Sequence, residues 1–367
     1  SLTSVEIDQI AGVENLTGTG NIQFNATTEE ILVQIYGTKN VDSTVKLFNS
    51  EGEEVPINTV KNTFTIQPND NVTGPGNLFA YQLRNENTDN FINTLNTGDT
   101  GVGTGDDPVT LFAQLGELGG GTNVLATLTD IATIDIEFRN KDILDLSRTK
   151  GTESIVIHDS SDTAEIIEIG ESITSSTVSD FTIRNQGKDV TLDFDGATFG
   201  EDGLKVSLAA ITGGDLTLKN STGDTLNIDS NTNTNVLDSL VLNNAGNLSA
   251  INKMNITGDQ ALTIGPDLLD LNDGVKLIDG DKTIDASTFE GDLTFVLNDF
   301  DGANDQTVDK IDIKGGTGDD SITIEEQQFS ANFLDNYLVD TGAGDDATGD
   351  APPALLNSFF IASTTSP

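Results

Sequence analysis

One stretch of the chain has the residue types and the spacing of a calcium-binding turn. It is Gly315-Gly316-Thr317-Gly318-Asp319-Asp320-Ser321-Ile322-Thr323, which fits the pattern G-G-x-G-x-D-x-U-x at every specified position, U being a large apolar residue. Glycines let the backbone turn tightly and direct carbonyl oxygens inward, and Asp adds a carboxylate. All of these are hard oxygen donors suited to Ca²⁺. The sequence therefore predicts calcium ligands at Gly316, Gly318, Asp319 and Asp320.

A second turn of the same kind follows the first. In Thr341-Gly342-Ala343-Gly344-Asp345-Asp346, Thr341 replaces the first glycine, and Thr348 stands at the apolar position. The offset between the two turns is longer than two nonapeptides, so we expect a wide β-helical coil to stack them in register. The alternative interpretation is that Gly-Asp pairs only form turns between strands. The candidate ligands of this second turn are Gly342, Gly344, Asp345 and Asp346.

Two further segments are weaker candidates for calcium loops. The first is Gly103-Thr104-Gly105-Asp106-Asp107-Pro108-Val109, in which Val102 replaces the first glycine and the candidate ligands are Gly103, Gly105, Asp106 and Asp107. The second is 299–305, where Asp299, Asp301 and Asp305 supply carboxylates. This segment is not an EF-hand, because its Gly falls two places early and Lys310 stands where the bidentate Glu belongs. A calcium loop of another type and an ordinary turn both remain open for 299–305.

The charge of the chain restricts its partners. It carries 60 acidic residues against 17 basic ones, for a formal net charge of -43. Such an imbalance destabilises the compact state unless cations neutralise it. It also argues against nucleic acid and anionic membrane as partners, since both require a basic surface. A solvated acidic surface, as in halophiles, is the alternative explanation, but the acids lie beside glycines in turns, which favours ion binding.

The chain has the pattern of an all-β protein, with short β-branched strands separated by Gly, Asn, Asp and Thr turns. We predict a β-sandwich-like domain over 1–80 and a mixed connecting region over 81–150. In that region Pro108–Leu118 is a short helix candidate, with Pro near its start and glycines after its end. Residues 151–350 are predicted as a repetitive, β-helix-like calcium-binding domain, and 351–367 as a C-terminal tail.

The repetitive region consists of apolar-polar-apolar triplets such as Leu216-Thr217-Leu218, several of which follow a Gly-Asp turn. Quasi-regular short strands of this kind indicate a parallel β-helix or another solenoid-like or multi-sandwich arrangement. Their spacing is too irregular to define the coils. An antiparallel Greek-key sandwich is the alternative.

At the nonapeptide 315–323 the chain resembles the RTX family of secreted, calcium-dependent repeat proteins. The passage from Lys282-Thr283-Ile284-Asp285-Ala286-Ser287 through Gly291-Asp292-Leu293 to 310–316 also resembles surface-layer proteins of Gram-negative bacteria. Over roughly 180–350 the resemblance lies in the general pattern of short strands and turns, and only the nonapeptide is a specific motif. It implies a cell-surface protein in which each calcium ion lies between two stacked turns.

The sequence offers little for catalysis. His158 is the only histidine and there is no cysteine, so neither a multi-histidine nor a thiolate metal site is available. Ser and Asp are too common for a Ser-His-Asp arrangement to carry information, and we expect His158 to be an exposed turn residue. We find no local cluster of basic and acidic residues of the kind that a polysaccharide lyase would use. We therefore predict that the chain is not an enzyme.

These observations lead to one prediction of function. We expect a secreted, extracellular, Ca²⁺-binding structural subunit that assembles with copies of itself into a lattice or filament, with cell-surface polysaccharide as a second candidate partner. No apolar run is long enough to cross a membrane, so we expect no membrane insertion. The chain begins at Ser1 without an apolar leader, and we expect a processed or excised product. The alternatives are a calcium-dependent adhesin module and a calcium-bearing polysaccharide-degrading enzyme.

Overall fold

The computed structural model of the chain describes residues 20–25, 30–35, 47–48, 54–55, 62–85, 90–117, 119–169, 180–194, 203–220, 223–243, 251–265, 274–277, 281–300, 310–327, 336–344, 347–350 and 358–362. The chain divides into two compact units, 1–63 and 64–367. Over its described residues, the first unit contains two antiparallel strand pairs, β1 with β2 and β3 with β4. These strands are β1 (Gly20–Asn25), β2 (Glu30–Ile35), β3 (Leu47–Phe48) and β4 (Glu54–Val55).

The second unit is built entirely of strands over its described residues, which confirms the predicted all-β class. They are β5 (Asn71–Gly74), β6 (Leu78–Ala80), β7 (Leu83–Asn85), β8 (Asn90–Ile92), β9 (Thr100–Gly103), β10 (Thr110–Leu115), β11 (Asn123–Leu125), β12 (Thr127–Thr129), β13 (Thr133–Phe138), β14 (Ile143–Asp145), β15 (Thr149–Lys150), β16 (Ser154–His158), β17 (Ala164–Ile167), β18 (Asp180–Arg184), β19 (Val190–Asp193), β20 (Leu204–Ala209), β21 (Asp215–Lys219), β22 (Thr225–Ser230), β23 (Asn235–Leu237), β24 (Ser239–Asn243), β25 (Lys253–Gly258), β26 (Leu262–Ile264), β27 (Gly274–Leu277), β28 (Lys282–Asp285), β29 (Leu293–Phe300), β30 (Lys310–Lys314), β31 (Ser321–Gln327), β32 (Asn336–Asp340), β33 (Ala347–Asp350) and β34 (Ser358–Ala362).

Three parallel sheets form the walls of a β-solenoid. The first sheet runs β34-β32-β30-β28-β25-β22-β20-β18-β16-β13-β10-β6, and the third runs β15-β12-β9-β5. The second sheet runs from β11 through β14, β17, β19, β21, β24 and β27 to β29, where β26, β23, β31 and β33 join it. The chain visits the sheets in turn, so β9, β10 and β11 are followed by β12, β13 and β14 in the same order. Every described pairing within these sheets is parallel, which favours the predicted β-helix over the antiparallel Greek-key alternative.

The core lies between the sheets and follows the period of two along each strand. In β13, for example, Ile134, Ile136 and Phe138 are buried and the residues between them face outward. Each coil places its apolar residues above those of the previous coil, because the strands pair in register. Aromatic rings contribute to the core, where Phe181 and Phe194 are fully buried and meet edge to face with ring centroids 5.7 Å apart. The apolar-polar-apolar triplets are therefore the inward and outward positions of solenoid strands.

The helix prediction for Pro108–Leu118 is wrong. Residues Thr110–Leu115 form strand β10, in which Leu111, Ala113 and Leu115 are buried and the alternate residues are half-buried. The Pro and the glycines that suggested helix ends instead flank a strand, and parallel pairing on both sides with β6 and β13 fixes the extended backbone. Tertiary pairing thus overrides the local signal.

The described part of the chain contains no helix that is long and apolar enough to cross a membrane.

Candidate functional site

Two of the predicted calcium loops lie on top of each other at one corner of the solenoid. Residues 286–292, 315–320 and 341–344 each connect the first sheet to the second, and the strands on both sides pair in register. Thr317 donates its backbone N–H to the carbonyl oxygen of Phe289 over 3.0 Å, and Ala343 donates to Gly316 over 2.9 Å. The expected in-register stacking of the two Gly-Asp turns is confirmed over these residues. We call 286–292, 315–320 and 341–344 the loop stack.

The glycines of the loop stack are required by the stacking itself. A β-carbon at Gly316 would collide with the carbonyl oxygen of Phe289 in the loop before it. Gly342 has a φ of 82°, and a β-carbon there would collide with the carbonyl oxygen of Gly316. Close approach of successive backbones therefore accounts for these glycines whether or not an ion is bound.

Asp320 is held in the interior of the loop stack. Asp320 is only 1% exposed, and its carboxylate accepts hydrogen bonds from two backbone N–H groups. Gly316 donates to Oδ2 over 2.7 Å within the same loop, and Leu293 donates to Oδ1 over 3.0 Å from the preceding coil. A buried carboxylate is costly unless it is hydrogen-bonded in this way. Asp320 thus ties the loop to its neighbour as well as being the predicted ion ligand.

Asp319 lies on the exposed side of the same loop. Its backbone N–H donates to Oδ1 of Asp292 over 2.9 Å, so these two residues occupy equivalent places on successive coils. Neighbouring strands are about 4.8 Å apart, so the two exposed acidic residues lie one above the other on successive coils. Asp345 and Asp346 themselves lie outside the described residues.

Oxygen atoms converge around the first position of the nonapeptide. A β-carbon at Gly315 would collide with the carbonyl oxygen of Thr341 and with Oδ2 of Asp320, so these two oxygen atoms lie close to the Gly315 backbone. Oγ1 of Thr341 is buried and has no hydrogen-bond partner among the described residues. Carbonyl, hydroxyl and carboxylate oxygens are the donor set that fits Ca²⁺. The described residues contain no group of three or more Asp, Glu, His or Cys side chains that could hold a metal ion, so any ion here would depend on backbone oxygens.

The other candidate ligands that the structure describes are not brought to this corner. Gly103 ends β9, and the exposed Asp106 and Asp107 lie in the connection from the third sheet to the first. In the same connection Thr104 donates its backbone N–H to the carbonyl oxygen of Gly74 over 3.1 Å. Asp299 belongs to strand β29 instead of a loop, which corrects its interpretation as a loop or turn residue. Asp301 and Asp305 lie outside the described residues.

His158 is not an exposed turn residue, contrary to the sequence interpretation. It is the last residue of β16, its side chain is 21% exposed, and it lies between two carboxylates. Nδ1 is 2.8 Å from Oδ2 of Asp159, and Nε2 contacts Oδ1 of Asp135, which also pairs with Arg184 at 3.4 Å. Burial lowers the pKa of His158, but the hydrogen bonds with Asp135 and Asp159 raise it, and the net direction is upward. A charged imidazolium between two carboxylates is therefore favoured.

A mixed cluster of charges extends from this histidine over the outer face of the first sheet. Glu137 accepts from Nε of Arg139 over 2.7 Å and from Nε2 of Gln114 over 2.8 Å. With Asp135, His158 and Arg184 it forms what we call the outer-face cluster. The sequence analysis found no such grouping of basic and acidic residues, because its members come from strands that are distant along the chain. The parallel register alone brings them together.

Aromatic rings lie on the same outer face, toward β6. Phe79 and Phe112 are paired across β6 and β10 with ring centroids 5.7 Å apart and planes 11° apart, and Tyr81 stacks on Phe79 at 6.0 Å. The ring of the exposed Phe91 lies under the guanidinium of Arg139, whose Cζ is 5.4 Å from the centroid of that ring. We call Phe79, Tyr81, Phe91 and Phe112 the aromatic patch.

Two members of the loop stack were not singled out from the sequence. Asp292 belongs to a Gly-Asp turn, and the equivalence of Gly291-Asp292 with Gly318-Asp319 was the signal that could have identified it. Thr341 was noted only as a departure from the glycine pattern, and its buried hydroxyl depends on the fold.

Comparison of the chain with protein-family models, with curated proteins and with solved structures finds no match.

Proposed function

We propose that the chain is an extracellular structural protein whose solenoid is stabilised by Ca²⁺ at the loop stack and which assembles with copies of itself. The observation that supports this most is the register in which the three segments of the loop stack lie on one another. It places the exposed residues Asp292 and Asp319 one above the other on successive coils, and it brings the Thr341 carbonyl oxygen and Oδ2 of Asp320 next to Gly315. A divalent cation at this corner would offset the repulsion between the acids and accept the donors that the turns present.

The charge of the chain supports the second half of the proposal. With a net charge of -43, isolated subunits repel one another. Divalent ions that bridge carboxylates across an interface reverse that interaction. A calcium-rich extracellular medium is the appropriate setting, because loops of this type bind the ion too weakly for the cytosol. Assembly would then depend on calcium as well as on protein concentration.

The test follows assembly of the purified chain by light scattering and electron microscopy across a calcium series. We expect ordered sheets or filaments at millimolar Ca²⁺, a weaker response to Mg²⁺, which releases its waters reluctantly, and reversal on chelation. NaCl at matched ionic strength is the control for screening. A protein that stays monomeric at high concentration in millimolar calcium contradicts the proposal.

A matched pair of variants separates the loop stack from general acidity. Asp292→Asn with Asp319→Asn removes two carboxylates from the loop stack, and Glu153→Gln with Asp189→Asn removes two exposed carboxylates that belong to no candidate calcium loop. Calcium titration by calorimetry should lose a binding event only in the first pair. Equal losses in both pairs would indicate a diffuse ion atmosphere instead of a site.

A second candidate function is a calcium-dependent adhesin module that binds a cell-surface glycan. The observation in its favour is the aromatic patch beside the outer-face cluster, since planar polar groups bind sugar hydroxyls and aromatic rings cover sugar faces. Calorimetry with soluble acidic and neutral polysaccharides would test it. Phe91→Ala should abolish binding, whereas Ile66→Ala, at another exposed apolar residue, should leave it unchanged. No heat with either polysaccharide would remove this candidate.

A further inference from the structure

Three side chains with complementary chemistry occupy one register position on three successive coils. Thr225, Lys253 and Thr283 pair across β22, β25 and β28, and the residues just before them are Asp224, Asn252 and Lys282. Backbone hydrogen bonds hold that alignment, because Lys253 donates to the Asp224 carbonyl over 3.0 Å and Thr283 donates to the Asn252 carbonyl over 2.9 Å. A carboxylate, a carboxamide and an amine therefore form one column on the first sheet.

Direct contacts join the three groups. Nζ of Lys282 donates to Oδ1 of Asn252 over 2.9 Å, and Nδ2 of Asn252 donates to Oδ1 of Asp224 over 2.9 Å. The amide is thus oriented with its carbonyl toward the amine and its NH₂ toward the carboxylate. Nζ also donates to the carbonyl oxygen of Ile251 over 3.2 Å, which fixes the end of the lysine beside the amide.

The surroundings of the column differ from one end to the other. Lys282 points into the solenoid and is only 5% exposed, so its amine is held away from bulk water. Asn252 and Asp224 are exposed. A buried lysine against an amide carbonyl is an amine held next to an electrophilic carbon, and the exposed side gives a small leaving molecule a path to solvent.

We propose that Lys282 and Asn252 are a site of covalent self-modification, in which they form an isopeptide bond. The neutral amine of Lys282 attacks Cγ of Asn252, and a C–N bond forms. Once both nitrogens are bonded to Cγ, Asp224, which already accepts a hydrogen bond from Nδ2, takes the proton released from Nζ and passes it to Nδ2. The old C–N bond then breaks, and one ammonia leaves. The products are a secondary amide between the two side chains and a carboxylate returned to its starting state. No oxidant, reductant or other reactant is needed.

The bond would join two adjacent coils of the first sheet, β25 and β28. Their backbone hydrogen bonds open when the sheet is pulled apart, whereas a covalent amide between side chains does not. The link closes a loop that contains β25, β26, β27 and the start of β28. It is independent of calcium and of the loop stack, so its test does not depend on the function proposed above.

Mass spectrometry of the purified full chain tests the proposal. We expect the intact protein to be lighter than its sequence mass by one ammonia, and digestion to yield a branched peptide that joins Lys282 to Asn252. Lys282→Arg, Asn252→Ala and the exposed Asp224→Asn should each restore the full sequence mass. Lys253→Arg changes the neighbouring exposed lysine and should retain the ammonia loss.

The outcomes are distinct. Asn252→Asp should lose water in place of ammonia, because the leaving group is now a hydroxyl. An unmodified wild-type chain overturns the proposal, and so does an ammonia loss confined to Asn252 with an unlinked Lys282, which is a succinimide. Circular dichroism confirms that each variant keeps its β structure, and the Asp224→Asn variant keeps the test valid if Lys282→Arg does not fold.

Discussion

The carboxylate of Asp320 accepts the backbone N–H of Leu293 over 3.0 Å, across the boundary between two coils. The same carboxylate accepts the N–H of Gly316 over 2.7 Å inside its own loop. The residue that defines the calcium motif is therefore also a cap for two backbone donors. This dual position separates the role of Asp320 from that of the exposed Asp319.

The first prediction compares these two neighbours. Asp320→Asn replaces one acceptor oxygen by an NH₂ group that faces a backbone donor, and it should lower the free energy of unfolding by about 1–3 kcal/mol even in EDTA. Asp319→Asn is the control, and as an exposed substitution it should change that free energy in EDTA by less than about 0.5 kcal/mol. Urea unfolding with and without calcium measures both. Equal stability of the two variants in EDTA would contradict the capping role.

The second prediction concerns removal of the metal. An ion that binds only the folded state adds about 2.7 kcal/mol per site at a hundredfold excess over Kd. Chelation by EDTA should therefore lower the melting temperature far more than a matched change in NaCl concentration. Differential scanning calorimetry distinguishes the two. If the EDTA and salt samples melt together, calcium is not structural in this chain.

The third prediction tests the close approach of the stacked loops. Gly342→Ala should destabilise the fold by about 1–3 kcal/mol more than Gly119→Ala. Both residues have positive φ, at 82° and 106°, so both variants carry backbone strain. A β-carbon at Gly119 meets nothing within 4 Å, whereas one at Gly342 meets the Gly316 carbonyl. Equal melting temperatures for the two variants would show that the loops can separate without cost.

The fourth prediction is a pH dependence from His158. Because its pKa is raised in the folded state, its contribution to stability is complete below the unfolded pKa of about 6.5 and is lost as the pH rises through the folded pKa. His158→Gln should flatten the stability curve in that window. Asp285→Asn is the counterpart, because the hydrogen bond from Ser287 Oγ lowers the pKa of Asp285 and its contribution is lost as the pH falls. Urea midpoints across pH measure both, and an unchanged curve for His158→Gln would exclude the ion pair.

Local sequence was sufficient for what depends on strands and turns. Triplets such as Leu226-Asn227-Ile228 identify strands because inward and outward positions alternate. Gly316 and Gly318 are separated from Gly342 and Gly344 by the same number of residues, which indicates that the two turns stack. Local sequence was insufficient wherever the strand register determines which side chains meet. Asp135, His158 and Arg184 are separated by whole coils, and only the parallel pairing places them side by side. Pro108 and Gly119 suggested a helix because local signals do not include the two strands that flank β10.

The parallel pairing of each strand with the same strand of the previous and the next coil makes the coil the natural unit of length variation. β18 pairs with β16 on one side and with β20 on the other in one shared register. Excision of one complete coil would bring the strands on either side into that register with their buried residues still inward. Duplication of a coil would lengthen the solenoid without changing its cross-section. Chains of different lengths can therefore share this architecture, provided that gain or loss occurs in whole coils.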